Sequence, residues 1–583
     1  MIEFGLLAAA SLLFQVQTAD TAELRKELKR AAIRYESISR RRAAWAGYGG
    51  GGGCDEVVGR FCLTFGDDRD RQHPEEPVVI GEARDSVIHV FNRALLFWPT
   101  DTTVAAPLVR FHIEGDSMEA AEQVAIAFDR FGGDRVWAGF LRGLVAHEAG
   151  RADAALEQFE RASQLMAEEE RETAWSVEDL VARDERDRVE KLAPDARAAY
   201  ERRLWAYADP LYLTAGNEAR AEHFARYVWG RILRRAPVVL DAFSWGDDLE
   251  EILRRFGPAA GRGRVAGRGL GSFDDIVEYF DPDLLTLTPP RMLAEGLPKP
   301  PPPPDRWPLD TIVRRSGFAP PTARSLGPLQ HQLSRFHAGD SVRLRIDALM
   351  PLDSAAAHEP GRLETGVFVF DTAFNLIASQ TGAGVLRGDT LVLSLDVLVP
   401  SSTPLIYSVE AREASSKLAA RSRYYLDPLP VAVPLLSDLV IAQPFEAGSE
   451  VRAADVDALG RLIVPENTRV GVFAEIGRLQ DDVSGYRRVN VEFEILEATE
   501  PSFLRRFGRF MGRLVGRPAA GVPRLAWSEQ FALNEPAWIS TSVDLTNIAP
   551  GLKLLRVTIK DPVGGTSAVT ERAILIQRLR GAR

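Results

Sequence analysis

The chain has 583 residues, a net charge of −11 and 45% hydrophobic residues. This length predicts roughly three to five domains of ~100–200 residues each, and the hydrophobic content excludes a globally disordered protein. The acidic balance argues against nucleic-acid binding through the overall field of the protein, so we expect no nucleic-acid partner. Only seven of the 71 basic residues are Lys. The Arg excess has two interpretations, anion recognition and a GC-rich genome, and its spread over the whole chain favours the second.

The N-terminus resembles a secretory signal. Residues 4–14, FGLLAAASLLF, form an apolar run that is too short for a bilayer span, which needs about 20 residues. We interpret residues 1–19 as a signal peptide with Ala19 at the cleavage position, although Glu3 stands where a positive charge is usual and Gln17 is unusual before the cut. This predicts a periplasmic or secreted protein of the cell envelope.

The two cysteines, Cys54 and Cys62, are separated by seven residues. Two thiols cannot complete a four-ligand zinc site by themselves. They form either a disulfide in an oxidising compartment or two buried free thiols. The eight His residues are scattered singly, so we predict no metal site and no cofactor.

Residues 20–204 are predicted to be α-helical. Thr21 is a candidate N-cap for the first helix. Residues 134–165 form a predicted helical hairpin with Gly150 at its turn, and a candidate helix at 117–133 is a degenerate partner, so the whole region spans about 117–165. Its pattern of small, leucine and aromatic residues resembles a tetratricopeptide repeat. The matching positions are Trp137, Leu141, Gly143, Leu144, Gly150, Ala154, Ala155, Phe159 and Ala162. One unit is weaker evidence than an array, because a solenoid needs about three repeats to bury its core, and an ordinary helical hairpin is the alternative. Pro194 is predicted to start a later helix.

Residues 205–292 form a central helical block. Asn217 is predicted to cap one helix, and Asp247 or Asp248 the next, where carboxylates also favour the positive end of the helix dipole. Gly257 and Pro258 are predicted to end that second helix. We expect residues 261–271 to be a flexible cationic segment, and the acidic stretch that follows to be a solvated helix face.

This block resembles the bacterial proteins that carry a GWxTD domain. The matching positions are Asp209, Pro210, Asn217, Glu218, Trp245, Asp248, Gly257 and Pro258. Ser244, Asp247 and Phe256 stand where the family has Gly, Thr and Tyr. The resemblance covers about 55 residues, and it implies an envelope or secreted setting without assigning catalytic residues.

Residues 293–325 are predicted to be a Pro-rich linker, in which Pro300–Pro304 favour a stiff polyproline II spacer. Beyond residue 326 the hydrophobic period becomes two, with turn signals between the runs. We therefore predict two antiparallel, immunoglobulin-like β-sandwiches, at 326–430 and 431–583.

An insertion in the second sandwich, residues 503–517, carries five arginines and no acid. An interfacial helix on an anionic membrane and a long hairpin loop over a sheet edge are the two interpretations. The arginines that would make the membrane or anion contact are Arg505, Arg506, Arg509, Arg513 and Arg517.

The sequence contains no nucleophile elbow, phosphate loop or paired-His zinc helix. Our leading hypothesis is an exported, non-catalytic scaffold or interaction protein that binds a protein partner, with no catalytic residues. The alternative is an envelope-associated hydrolase that uses the central block. Its candidate residues are Asn217, Glu218, His223, Trp245, Asp247 and Asp248.

Overall fold

The computed structural model describes residues 2–48, 56–63, 75–181, 183–236, 245–259, 261–266, 275–279, 320, 322–323, 325–352, 363–429, 433–446, 456–498, 516–518, 524–533 and 535–578. The chain divides into two compact units. The first is built mainly from residues up to 288, and the second mainly from residues after 321, with Leu211–Leu213 counted in the second. The predicted order, helices first and strands later, is confirmed.

Within the described residues the helices are concentrated in the first unit. They are α1 Ile2–Arg41, α2 Val78–Phe97, α3 Thr102–Glu114, α4 Met118–Arg130, α5 Arg135–Glu148, α6 Ala152–Ser163, α7 Glu168–Trp175, a 3₁₀ helix Glu178–Leu180, α8 Arg183–Val189, α9 Pro194–Ala208, α10 Glu218–Leu233 and α11 Asp247–Phe256. None of the helices seen in these ranges combines the length and apolar character needed to span a membrane.

The first unit also contains five strands, and the second contains nineteen in the ranges described. The first five are β1 Ala44–Tyr48, β2 Glu56–Val58, β3 Phe61–Leu63, β4 Gly261–Ala266 and β5 Asp275–Tyr279. The others are β6 Ser325–Pro328, β7 Gln330–Ala338, β8 Ser341–Pro351, β9 Leu363–Phe370, β10 Leu376–Ala383, β11 Val385–Arg387, β12 Thr390–Pro400, β13 Leu405–Glu413, β14 Leu418–Leu426, β15 Leu435–Leu436, β16 Val440–Ala442, β17 Ile463–Pro465, β18 Arg469–Gly477, β19 Tyr486–Ala498, β20 Gly516–Pro518, β21 Leu525–Ala532, β22 Ala537–Asp544, β23 Gly551–Asp561 and β24 Thr566–Gln577.

The hairpin of α5 and α6 lies in the core of the first unit. Gly143 permits the close approach of the two helices, since a Cβ atom there would lie 2.3 Å from the ring of Phe159. Gly150 occupies the turn with φ +74°, a backbone conformation that glycine adopts without steric cost. Phe224 of α10 stacks on Phe159 with ring centroids 4.7 Å apart. The hairpin and α10 therefore share one hydrophobic core.

A buried charge network joins α1 to α3. Arg110 donates from Nη1 to Glu36 at 2.7 Å and from Nε to Glu114 at 2.6 Å. Tyr35 donates its hydroxyl proton to the same Glu114 at 2.7 Å. Arg110 and Glu36 are 3% and 2% exposed, so each needs the other as its partner.

Three expectations about the first unit are wrong. Thr21 does not cap a helix, because α1 already begins at Ile2. Residues 261–266 and 275–279 of the central block are strands, rather than a flexible segment and a helix. The reason is long-range pairing: β4 lies parallel to β1 and antiparallel to β5, and Arg264 donates from Nε to the carbonyl of Ala43 at 2.8 Å.

The first half of the second unit has two sheets that share one hydrophobic core. Their strand orders are β10–β9–β13–β14–β6 and β11–β12–β8–β7. Leu344 and Ile346 of β8 enter this core from one sheet, and Val367 and Val369 of β9 enter it from the other. Pairing is antiparallel as expected, except that the short edge strand β6 lies parallel to β14.

The second half repeats this arrangement. In one sheet β18 pairs with β15 and β16 at one edge and with β22 at the other, and the facing sheet runs β17–β24–β23–β19–β20, with β21 also on β19. Both sheets contribute to one core, with Val472 from β18 and Val557 from β23 as examples. The edge strand β17 lies parallel to β24, again departing from the fully antiparallel expectation.

A buried ion pair connects the two halves of the second unit. Arg335 of β7 donates from Nε and Nη2 to the two carboxylate oxygens of Asp438, at 2.7 and 2.9 Å. Its third nitrogen, Nη1, donates to the carbonyl of Asp427 at 2.9 Å. Burial would raise the pKa of Asp438, but the charge of Arg335 outweighs it and lowers that pKa. The bidentate geometry fixes the orientation of both groups.

We expect Asp438→Asn to lower the free energy of unfolding of the second unit by about 3 kcal/mol, because it leaves the buried Arg335 without a counter-charge. The matched control is Asp457→Asn. That carboxylate pairs with Arg387 at 3.7 Å, and the two side chains are 57% and 64% exposed, so its loss should change stability by less than about 0.5 kcal/mol. Chemical denaturation of both variants measures the difference. Equal effects would contradict this role for the pair.

Candidate functional site

The central block starts where α9 ends and α10 begins. Asn217 accepts a hydrogen bond from the backbone N–H of Arg220 at 2.9 Å, as predicted for an N-cap. Its amide nitrogen also donates to the carbonyl of Trp205 at 2.7 Å. Asn217 therefore connects the end of α9 to the start of α10, and both functions of its side-chain amide are used in this junction.

His223 lies on the buried side of α10, with its ring 5.1 Å from that of Trp205. Burial, together with the charges of Arg254 and Arg226, lowers the pKa of His223 to about 3. The imidazole is therefore neutral at physiological pH. Its pKa is also far below the value near 7 that suits a general base.

A second polar cluster holds α5, α10 and α11 together. Glu222 accepts hydrogen bonds from His147 Nε2 at 2.6 Å and from Arg226 Nε at 2.5 Å. Burial would raise the pKa of Glu222, but the Arg226 charge and the His147 contact outweigh it and lower the pKa to about 2. Burial would lower the pKa of His147, whereas the hydrogen bond and charge of Glu222 outweigh burial and raise it.

Arg226 extends this cluster to the end of α11. Its Nη1 donates to the carbonyl of Arg255 at 2.5 Å and to that of Arg254 at 3.3 Å. These carbonyls belong to the last turn of α11, where backbone carbonyls have no hydrogen-bond donor within the helix. The helix dipole also favours a cation at this end. Gly257 ends α11 with φ +76°, as predicted.

Asp248, at the start of α11, is held by the β2–β3 hairpin. Its carboxylate accepts from Arg60 Nε at 2.6 Å and from Arg60 Nη2 at 2.7 Å. These hydrogen bonds hold the pKa of Asp248 well below its usual range. The N-cap position is Gly246, without a side-chain cap, and neither Asp247 nor Asp248 occupies it. Asp248 thus fastens the hairpin, and the expectation that one of the two aspartates caps α11 is wrong.

The described contacts of three of the six residues proposed for hydrolysis fall at two separate places in the central block. Asn217 bridges two helix ends, His223 packs on Trp205, and Asp248 pairs with Arg60. Glu218 is buried in α10, whereas Asp247 is exposed. In the part of the chain that the structure describes, no group of three or more His, Cys, Asp and Glu side chains is placed to hold a metal ion.

Asp209, Pro210 and Trp245, the remaining positions of the family-like motif, lie at the helix junctions. Asp209 is the C-cap residue of α9, and its backbone N–H donates to the carbonyl of Trp205 at 3.1 Å. Trp245 immediately precedes Gly246 at the start of α11 and is half-buried. Pro258 follows Gly257 just beyond the end of that helix.

Some predictions fall outside the described residues. Cys54 is among these, and the side chain of Cys62 is as well, so the choice between a disulfide and two free thiols stays open. The same holds for residues 300–304 of the linker and for Arg505, Arg506, Arg509 and Arg513. For Arg517 only the backbone is described, within β20.

Sequence reasoning missed the cluster of His147, Glu222 and Arg226. The i,i+4 spacing of Glu222 and Arg226 on one helix was a signal for a side-chain pair. His147 lies 75 residues away from Glu222, and no local pattern connects the two. The second unit contains a further unpredicted site, a cavity of about 220 Å³ next to His331 and Arg572.

Comparison with known proteins adds no assignment: no family model matches this chain, and no curated protein is significantly similar to it.

We expect the helical unit to lose stability as the pH falls from about 6.5 towards 3, partly because of His223. Its folded-state pKa of about 3 lies below the ordinary value of 6.5, so the unfolded chain binds the proton first and acid favours unfolding. His223→Phe keeps an aromatic ring beside Trp205 and removes the titrating group. Denaturation midpoints at pH 7.5 and 4.5 should therefore differ less in His223→Phe than in the natural chain. An unchanged difference would contradict this assignment.

Proposed function

We propose that this protein is an exported, non-catalytic scaffold or protein-interaction protein of the bacterial cell envelope, whose helical unit binds a protein partner. The observation that carries the proposal is a groove of about 410 Å³ between α1 and α2. The sequence supports the export step through the signal-like run at residues 4–14.

The groove combines an apolar floor with charged edges. Ala31 and Ile38 of α1 and Val79 and Val90 of α2 line it with hydrocarbon, and other lining side chains are charged: Glu27, Arg30, Arg34 and Glu82. Val79 is 39% exposed. A groove of this composition suits an amphipathic helix or extended segment, because such a segment can bury its apolar side chains while its charged ones face the edges.

Features that would suit tetratricopeptide-like and immunoglobulin-like modules support this role. The α5–α6 hairpin, with its small residues at the helix contact and Gly150 in the turn, is what one tetratricopeptide-like unit requires. Each half of the second unit has two sheets around one core, as an immunoglobulin-like sandwich requires. Both module types serve commonly as interaction scaffolds, although a fold alone does not define a function.

Membership of the GWxTD-domain proteins is part of the proposal. Asn217 and Gly257, two positions of that motif, cap and end the helices of the central block. A motif whose residues define helix ends would specify a structural module, which fits a scaffold.

The alternative function, an envelope-associated hydrolase, has less support. Hydrolysis by the central block would need a nucleophile or base placed beside its partners. Asn217 and His223 instead contact Trp205, and Asp248 pairs with Arg60.

The proposal predicts that a photo-crosslinking amino acid at Val79 captures a specific protein in envelope extracts, because Val79 lines the groove. Ile126 of α4 is the matched control: it is also β-branched, helical and 39% exposed, but it does not line the groove. We expect one cross-linked band, identified by mass spectrometry, from the Val79 position and none from the Ile126 position.

Val79→Asp should abolish capture of that same protein by the otherwise natural chain, since a carboxylate on the apolar floor loses its hydration when the groove is filled. Ile126→Asp should leave capture unchanged. Equal cross-linking from both positions, or capture that survives Val79→Asp, would contradict binding in the groove.

A further inference from the structure

The second unit contains a cavity of about 220 Å³ that the proposed scaffold role does not use. Its walls come from β6, β7, β13, β14 and β24 and from the segment that leads into β17. Pockets for drug-sized ligands usually measure about 300–1,000 Å³. The cavity is smaller than this range, so it suits an organic molecule that is smaller than a typical drug.

One wall of the cavity is aromatic and fixed. The ring of His331 lies 5.3 Å from that of Tyr424, and Tyr407 lies 5.6 Å from Tyr424. His331 Nδ1 is 3.0 Å from the carbonyl of Leu329, which can only accept, so Nδ1 carries the proton. Nε2 then accepts the hydroxyl proton of Tyr407 at 2.9 Å.

His331 is uncharged in this arrangement. Burial lowers its pKa to about 4, so the ring stays neutral at physiological pH. Both nitrogens are already hydrogen-bonded. The histidine and Tyr407 therefore shape the wall and do not bring a charge to the cavity.

The positive charge comes from Arg572 on β24, which is 6% exposed. Its Nε donates to the carbonyl of Leu439 at 2.9 Å, and its Nη2 donates to the carbonyl of Leu333 at 2.9 Å and to Ser334 Oγ at 3.3 Å. The third nitrogen, Nη1, donates to no residue that the structure describes, and no described carboxylate lies within ion-pair distance of the group. The charge of Asp438 acts on Arg572 from beyond ion-pair distance, and that carboxylate is already paired with Arg335. A buried guanidinium group without an ion-pair partner of its own is costly.

A second guanidinium group, that of Arg461, lines the same cavity and is exposed. None of the described lining residues is an Asp or Glu. The remaining walls are mainly apolar, with Leu329, Leu426, Leu462 and Ile463 among them. The cavity thus offers positive charge together with hydrocarbon and aromatic surface.

We propose that this cavity binds a small organic carboxylate with an apolar or aromatic body. Nη1 of Arg572 donates to the carboxylate, and Arg461 supplies further positive charge. The apolar body packs between the leucine side chains and the rings of His331 and Tyr424. An arginine is well suited to this, because its planar fork matches the geometry of a carboxylate.

Calorimetric titration of the full chain with three probes tests the ligand class. Benzoate carries both the carboxylate and the apolar ring, benzamide keeps the shape without the charge, and inorganic phosphate keeps negative charge without the apolar body. We expect benzoate to bind at least about ten-fold more tightly than either of the others, a difference of about 1.4 kcal/mol.

Three variants locate the binding site. Arg572→Met should lower benzoate affinity at least about ten-fold by removing the donor. Leu462→Trp should do the same by filling the cavity, and it covers the case in which Arg572→Met fails to fold. The control, Arg387→Met, removes an arginine that is 64% exposed and does not line the cavity, and it should bind benzoate as the natural chain does.

Four results would overturn the proposal. They are the absence of saturable benzoate binding, benzamide binding as tightly as benzoate, phosphate binding as tightly as benzoate, and undiminished benzoate binding in a folded Arg572→Met or Leu462→Trp protein.

Discussion

Buried guanidinium groups impose the constraint on which both units depend. A charge removed from water must be matched by an opposite charge and hydrogen bonds, or it destabilises the fold by several kcal/mol. The first unit meets this requirement by pairing Arg110 with Glu36 between α1 and α3. The second does so with the fully buried pair of Arg423 and Glu410 between β14 and β13. In each case the pair joins separate elements, so meeting the charge requirement also fixes how those elements pack.

The central block follows the same rule and so favours a structural interpretation of its polar residues. Arg226 is paired with Glu222 on its own helix and donates to the last carbonyls of α11. Asp248 at the other end of α11 pairs with Arg60. Each contact holds a helix end, where backbone groups lack partners. Arg572 is different, because no described carboxylate pairs with it, and this difference points to a ligand.

Local signals predicted much of the fold, whereas long-range pairing was not predictable from them. Hydrophobic alternation indicated most of the long strands, and the capping rules correctly placed Asn217 and Gly257. The strand at 261–266 was missed in part because one of its two partners, β1, lies more than 200 residues earlier. His331 and Arg572 are separated by 240 residues, and neither lies in a motif. Only the pairing of the sheets brings them to one cavity.

A double-mutant cycle between His147 of α5 and Glu222 of α10 tests most directly whether the polar groups of the central block fasten helices to one another. The free energies of unfolding are measured for the natural chain, His147→Phe, Glu222→Gln and the double variant. If the pair holds α5 to α10, the two changes should be coupled by about 1–3 kcal/mol. Effects that add to within about 0.5 kcal/mol would mean that the two side chains act independently, and they would contradict the structural role assigned to this block.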